Sequence, residues 1–406
     1  MNIEQELSFP CGSTIKNRLV KSAMSENMAK KFHPKDEFYH CYKMWGEGGL
    51  GLAITGNVMV DSRHLGEPNN VVIEEGLDNL EGLRKWASVQ DETGMAIWPQ
   101  LNHPGKQTPK FLTNEPVAPS AVSLQPPLDK MFNTPRELKH EEILDIINRF
   151  GYAAKICKEV GFKGVQIHGA HGYLVSQFLS GHHNQRTDKW GGDITKRFEF
   201  VKEVYLKMRE AVGTDFPIGI KLNSADFSKG GFTNEEAVFV TKSLSDLGID
   251  LIEVSGGSYE KPVMTGTKIK DSTRKREAYF IEYAKAIREH IKCPLMVTGG
   301  FRSIEFMEET LGANELDLVG LARPVCIDPQ WPNKLLNGEK VKSQVKPLSS
   351  GFKVVDAIFP LEIIWYTYQI HRMGEQKMPR PNKSVYPIIL ESAWSIGAQS
   401  LRRVRA

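Results

Sequence analysis

The chain has 406 residues, 40% hydrophobic and 25% charged, and its 52 Lys and Arg against 49 Asp and Glu leave a formal net charge of only +3. A charge so small and so dispersed gives no ground for nucleic-acid or membrane binding, and no stretch approaches the ~18 apolar residues of a membrane span. The cysteines Cys11, Cys41, Cys157, Cys293 and Cys326 lie too far apart for a CxxC pair, a zinc site or an iron–sulfur run, and the acidic start MNIEQELSFP resembles no secretory leader, so a reduced, cytoplasmic protein is expected.

In chain order, short apolar runs predict strands at Leu19 to Ser22, Leu52 to Thr55, Ala96 to Leu101, Val165 to His168, Ile218 to Leu222, Leu251 to Val254, Leu295 to Thr298 and Leu318 to Leu321. Between the later strands run helical patterns closed by glycine: Glu142 to Val160 before Gly161, Lys196 to Val212 before Gly213, and Glu235 to Leu247 before Gly248. Ile143, Ile146, Ile147, Phe150, Ala154 and Cys157 keep the 3.6-residue period that buries one helix face. Eight strands alternating with helices predict an α/β fold of the (β/α)₈ TIM-barrel kind, with an open doubly wound sheet as the alternative. No GxGxxG follows a strand, which argues against the open sheet.

Two parts fall outside the repeat. The Pro-rich stretch from Asn102 to His140 is too long for a plain connection and predicts a lid or small hairpin over the barrel mouth. Residues 1–338 are read as the barrel and 339–406 as a linker and helical extension, with helices around Val355 to Met373 and Pro387 to Arg402. That extension is expected to pack on the barrel or on a neighbouring subunit, so the oligomeric state stays open.

The chemistry concentrates in HGAHGYLVSQFLSGHHNQRTDKWGG, His168 to Gly192. His168, His171 and Tyr173 leave one strand end together, a spacing suited to polarising a carbonyl and delivering a proton. A competing reading is metal ligation by His168 and His171 completed by His182, His183 or Asp188, as in a metal-dependent barrel hydrolase. Asn184, Arg186, Asp188 and Gly191-Gly192 read as architecture that locks the loop. Lys221 interrupts the apolar run IGIKLN and demands a partner anion or an electron-rich ring. Gln100 and Ser25 end or follow strands at the same mouth, and Gly299, Gly300 and Arg323 form adjacent loops suited to phosphate.

Together these stretches resemble the Old Yellow Enzyme family of FMN-dependent NADH:flavin oxidoreductases. The resemblance runs from about Leu7 to Asn337 through NRLVKSAMS (from Asn17), WPQLNHPGKQ (from Trp98), the His168 segment, IGIKLN, VTGGFRS (from Val297) and VGLARP (from Val319). It implies that Ala23, Met24, Ser25, Gly56, Gln100 and Lys221 contact the isoalloxazine ring of FMN, and that Gly299, Gly300, Phe301, Ala322 and Arg323 hold its phosphate. It further implies that His168 and His171 bind a substrate carbonyl and that Tyr173 supplies a proton. The expected activity is an ene-reductase that passes hydride from NADH or NADPH through FMN to a small electron-poor alkene such as an enone; an FMN-binding protein without efficient alkene turnover is the alternative. Lys221 departs from the arginine, Ser25 from the Thr or Cys, and Asp193 from the Ser that many relatives carry.

Overall fold

The computed structural model describes residues 1–255, 280–352 and 361–391. Eight strands, β1 (Leu19–Lys21), β2 (Leu52–Met59), β3 (Ala96–Asn102), β4 (Val165–Gly169), β5 (Ile218–Asn223), β6 (Leu251–Ser255), β7 (Leu295–Thr298) and β8 (Leu318–Leu321), pair in parallel in chain order. The ring closes where β8 meets β1 at Val319 and Leu19, and β1 meets β2 at Val20 and Leu52. A closed parallel barrel removes every sheet edge and leaves both faces to be covered, the inside by side chains and the outside by helices. The principal helices among the described residues are α1 (Asp36–Glu47), α2 (Leu80–Ala87), α3 (His140–Glu159), α4 (Ile194–Val212), α5 (Asn234–Asp246), α6 (Ile281–Arg288), α7 (Ile304–Gly312), a short α8 (Arg323–Ile327) at the β8 exit and α9 (Leu361–Gly374).

Local signals explain the helix ends. Asp193 caps α4 by accepting the Lys196 backbone N–H at 3.1 Å, so the Asp-for-Ser departure exchanges one good cap for another. Thr233 and Glu236 form a reciprocal capping box at the start of α5. On α3 the residues with helical period, Ile143, Ile146, Ile147, Phe150, Ala154 and Cys157, are all buried, together with Gly151, Ala153 and Ile156 beside them.

The barrel interior has two layers. Near the N-terminal ends of the strands lie Val20, Leu52, Ile54, Trp98, Leu251, Met296 and Leu318, plugged from below by Leu7, Phe9 and Ile15. The last three come from an antiparallel ribbon, Leu7–Ser8 with Thr14–Ile15, which no sequence signal had marked. The Phe9 and Trp98 rings are 4.9 Å apart between centroids. Trp98 fits because its neighbours just before β4 and on β5 lack side chains: a Cβ on Gly164 would lie 2.4 Å from the indole and one on Gly219 would lie 3.2 Å from it. Above this apolar layer the inward positions turn polar, and there the site begins.

Two expectations are revised. Strand β2, expected to end at Thr55, runs on to Met59 through a register shift between Ile54 and Asn57. In the Asn102 to His140 excursion, expected as a lid or small hairpin, the strand pairing is parallel, Val117–Ala118 with Arg136–Glu137, beside one isolated antiparallel bridge between Pro109 and Phe132; Arg186 ties it to the β4 loop by donating to the carbonyls of Pro119 (2.9 Å) and Leu138 (2.7 Å). The expected C-terminal helices are present: α9 occupies the described part of the first and ends one residue beyond it, and a further helix starts at 385, while the parts of both expectations at 355–360 and 392–402 lie outside the described residues. Among the described residues no helix is long and apolar enough to cross a membrane.

Gly164→Val would drive a branched side chain into the Trp98 indole. It is expected to cost about 1–3 kcal/mol of overpacking, read as a lower urea midpoint with an unchanged slope.

Candidate active site

The floor of the barrel mouth is a continuous polar chain contributed by six strands or their exits. Gln100 donates through Nε2 to Gln166 Oε1 at 2.7 Å, and Gln166 Nε2 donates to Glu253 Oε2 at 2.8 Å. Thr298 donates to Glu253 Oε1 at 2.6 Å, and the Ser22 and Thr298 hydroxyls are 2.7 Å apart. Lys221 Nζ lies 2.9 Å from Glu253 Oε1, with both side chains almost wholly buried. The anion that Lys221 demanded is therefore Glu253, in the middle of the apolar run LIEVS. Sequence reading passed over Glu253 and Gln166, although a charge at the centre of a buried strand is the same signal that singled out Lys221.

Beside this floor stand the three residues of the β4 exit. The His168 ring lies 5.1 Å from that of His171 and 4.8 Å from that of Tyr173, between centroids and edge-to-face in both cases. His168 Nδ1 accepts the Ala170 backbone N–H at 3.3 Å, so the neutral ring carries its proton on Nε2 and presents a donor there. His171 Nε2 is engaged by the Ser255 hydroxyl at 2.8 Å, leaving Nδ1 for a further partner. Burial pushes both imidazoles well below their ordinary pKa; for His168 His171 and Lys221 add to the effect, and for His171 Lys221 does. They are neutral hydrogen-bonding groups.

The turn that aims them is strained and then tied down. His171 has φ +62° and Gly172 φ +79°, a left-handed pair that costs ~1–2 kcal/mol at the histidine. Asn223 accepts the His171 backbone N–H at 3.1 Å, Gln107 donates to the His171 carbonyl at 3.1 Å and Gln177 donates to the Gly172 carbonyl at 2.7 Å. Tyr173 then stands at the N-terminal boundary of a short helix, Leu174–Leu179, and its hydroxyl accepts from Asn57 Nδ2 at 3.4 Å. Downstream, Arg186 forks onto Asp188 (Nη2 to Oδ2, 2.6 Å) and Asn184 donates to the Phe178 and Trp190 carbonyls at 2.8 and 2.7 Å.

Across the mouth, Ala23, Met24 and Ser25 follow β1. A Cβ on Gly56 would sit 2.4 Å from the Met24 carbonyl, so the glycine is what lets this loop lie against β2. Ser25 donates its hydroxyl to Glu67. Just below, the fully buried Lys21 pairs with Glu26 at 3.1 Å and lies 4.6 Å from the centre of the Trp45 ring. Helix α9 reaches this loop: Thr367 donates to the Ser25 carbonyl at 3.2 Å, and His371 Nε2, on a ring kept neutral chiefly by burial, donates to the Glu26 carbonyl at 2.8 Å. The extension thus does more than cover the barrel exterior.

At the opposite edge, Gly299 (φ +112°) and Gly300 (φ +93°) take a conformation open to glycine alone and expose backbone between β7 and the buried Phe301. Ala322 and Arg323 follow β8, and Arg323 Nη1 lies 3.4 Å from Glu362 Oε2 on α9. The Cys326 and Met24 sulfurs, 3.3 Å apart, join the β8 exit to the β1 loop.

The metal alternative loses its ligand set. Among the described residues, the grouping whose His, Cys, Asp or Glu ligand atoms lie within 4.8 Å of one another is Asp61, His64 and His103, so His168, His171, His182 and Asp188 do not converge. Asp61, His64 and His103 border a cavity of about 440 Å³ outside the barrel mouth. There Arg63 occupies both Asp61 oxygens (2.8 and 2.7 Å), and Gly105 N–H donates to His103 Nδ1 at 3.1 Å. The latter bond places the His103 proton on Nε2, the nitrogen a metal would need.

A neutral donor cluster over a polar floor, with a glycine and arginine rim, at the C-terminal face of a (β/α)₈ barrel defines a cofactor-assisted enzyme. Residues 10–341 match the model of the NADH:flavin oxidoreductase / NADH oxidase family, and the chain belongs to that family. It is 38% identical over 351 residues to the NADH-dependent flavin oxidoreductase iliE of Neonectria sp. (strain DH2), covering 80% of this chain and 46% of the relative. It is 34% identical over 365 residues to iccE of Talaromyces variabilis, an NADH-dependent flavin oxidoreductase, covering 84% of this chain and 88% of the relative. Among solved structures it resembles a 2-naphthoyl-CoA reductase complex (TM-score 0.77, 26% identity, 84% of this chain and 53% of that one). In fold it also resembles the old yellow enzyme homologue from Zymomonas mobilis (TM-score 0.72, 23% identity, 85% and 95% covered). The protein is an FMN-dependent oxidoreductase of the Old Yellow Enzyme family with a reduced nicotinamide as hydride donor.

The donor set fits FMN. An amide (Gln100) and an ammonium (Lys221) match the alternating donors and acceptors of a flavin pyrimidine edge, and a bare two-glycine backbone with one guanidinium matches a phosphate.

Neutral burial of the histidines has a pH signature. Each takes up a proton near its ordinary pKa of ~6.5 only when unfolded, so the stability they allow is present above that value and is lost as pH falls below it, by at most ~1.4 kcal/mol per pH unit per group. Urea unfolding of His168→Asn at fixed FMN is expected to lose stability less steeply than the native protein between about pH 7 and about pH 5.5. An unchanged slope would mean that His168 is not held neutral.

Proposed function

We propose that the protein is an ene-reductase: a reduced nicotinamide loads the cofactor, departs, and is replaced at the same place by an alkene conjugated to a carbonyl. The observation that carries the proposal is the convergence of two neutral histidines and a tyrosine at one strand exit, beside the floor that holds Lys221. Bound FMN supplies the hydride chemistry. The chain's own groups do the rest. His168 Nε2–H and His171 donate to the substrate carbonyl oxygen, where negative charge develops as the β-carbon is attacked. Preorganised donors of this kind contribute about 2.7–4 kcal/mol each in a dry site. Tyr173 then gives its phenolic proton to the α-carbon, a step typically worth about 10²–10⁴-fold. The 2-naphthoyl-CoA reductase of similar fold was solved with 2-naphthoyl-CoA, a carbonyl conjugated to carbon–carbon double bonds, which supports this substrate class.

The test is an anaerobic visible spectrum of the FMN-loaded protein. Bleaching by NADH or NADPH followed by return of the flavin band with 2-cyclohexenone is the expected result; bleaching without return would identify a flavoprotein that does not turn over this alkene. In stopped flow, Tyr173→Phe is expected to slow reoxidation by the enone by about 10²–10⁴-fold while leaving reduction by the nicotinamide near native. Equal losses in both steps would remove Tyr173 as proton donor.

A further inference from the structure

We propose that Glu253 is a positioning residue that lowers the reduction potential of the bound cofactor by partly cancelling the charge of Lys221. The inference rests on the reading that Lys221 faces the flavin pyrimidine edge.

Glu253 has no exposed surface, and donors alone surround its carboxylate: Lys221 (2.9 Å) and Thr298 (2.6 Å) on Oε1, and Gln166 (2.8 Å) on Oε2. A carboxylate so placed acts only as an acceptor. Removing either member of such a pair strands a buried charge, so the two are present together and their charges sum to zero. Lys221 is also the register partner of His168, and its charge contributes to holding both histidines neutral, so the ammonium is felt toward the mouth as well as toward Glu253. With an anion 2.9 Å away, the mouth sees a dipole whose field falls off faster than that of a free cation. A lysine alone at this position would favour the electron-rich, reduced ring; the pair favours it less.

The same carboxylate fixes the polarity of the amide chain. Because Glu253 can only accept, Gln166 must donate to it and therefore accepts from Gln100. One buried side chain thereby sets both the field of Lys221 and the orientation of Gln100.

The experiment is anaerobic dye-referenced potentiometry of the FMN-loaded native protein and of Glu253→Gln, Lys221→Met and Thr298→Val. Glu253→Gln is expected to shift the reduced-to-oxidised ratio at a given potential by about tenfold or more, a rise of roughly 30 mV or more for a two-electron couple. Lys221→Met is expected to lower the potential. Thr298→Val removes a donor from Glu253, leaves more negative charge facing Lys221, and is expected to lower the potential too, a sign opposite to Glu253→Gln that simple loosening of the floor would not produce. If Lys221→Met lowers the potential while Glu253→Gln leaves it unchanged or lowers it, the role of Glu253 is overturned and the placement of Lys221 stands. If Lys221→Met leaves the potential unchanged, the placement itself fails. Should Glu253→Gln not fold, a rise or no change in Thr298→Val overturns the proposal.

Discussion

The site depends on an ion pair enclosed within the barrel. Neither Lys221 nor Glu253 could be buried alone, since an isolated charge in such surroundings costs several kcal/mol; each makes the other tolerable, and two further donors, Gln166 and Thr298, satisfy the rest of the carboxylate. From this pair the order spreads outward, through Gln166 to Gln100 on one side, through Thr298 to Ser22 on the other, and along the β4–β5 register to His168. The floor is one hydrogen-bonded object and not a collection of separate contacts.

That object rests on an apolar base. Along β5 the inward residues change from Gly219 to Lys221 to Asn223, and along β6 from Leu251 to Glu253 to Ser255, while Ile220, Leu222, Ile252 and Val254 face the helices. Height along a strand therefore decides function: the first inward position packs against Trp98 and the N-terminal ribbon, the next builds the floor, and the last meets the mouth. The period of two that makes a strand also sorts structural from chemical positions.

Much of the barrel was legible because its punctuation is local. β7 and β8 were read to the residue, since Gly299-Gly300 and Ala322-Arg323-Pro324 close them abruptly. The His168, His171 and Tyr173 grouping was legible for a similar reason: all three lie on one short exit, where backbone spacing alone brings them together. What escaped reading depends on distant partners. The role of Glu253 depends on Lys221 on the neighbouring strand, the need for glycine at Gly56 depends on the Met24 carbonyl lying against it, and the parallel pair at Val117 and Arg136 joins segments no turn signal connects. The apolar face of α9 announced a helix but not what it would touch.

The reach of α9 to the carbonyls of Ser25 and Glu26 binds the two halves of the chain's history together. All eight strands have been synthesised once Leu321 is made, yet the loop after the first strand keeps two of its anchors waiting for Thr367 and His371. At ~5–20 residues per second the intervening stretch takes seconds to translate. A chain that stopped at Leu321 would therefore hold every barrel strand and still lack two of the hydrogen bonds that anchor the β1 loop.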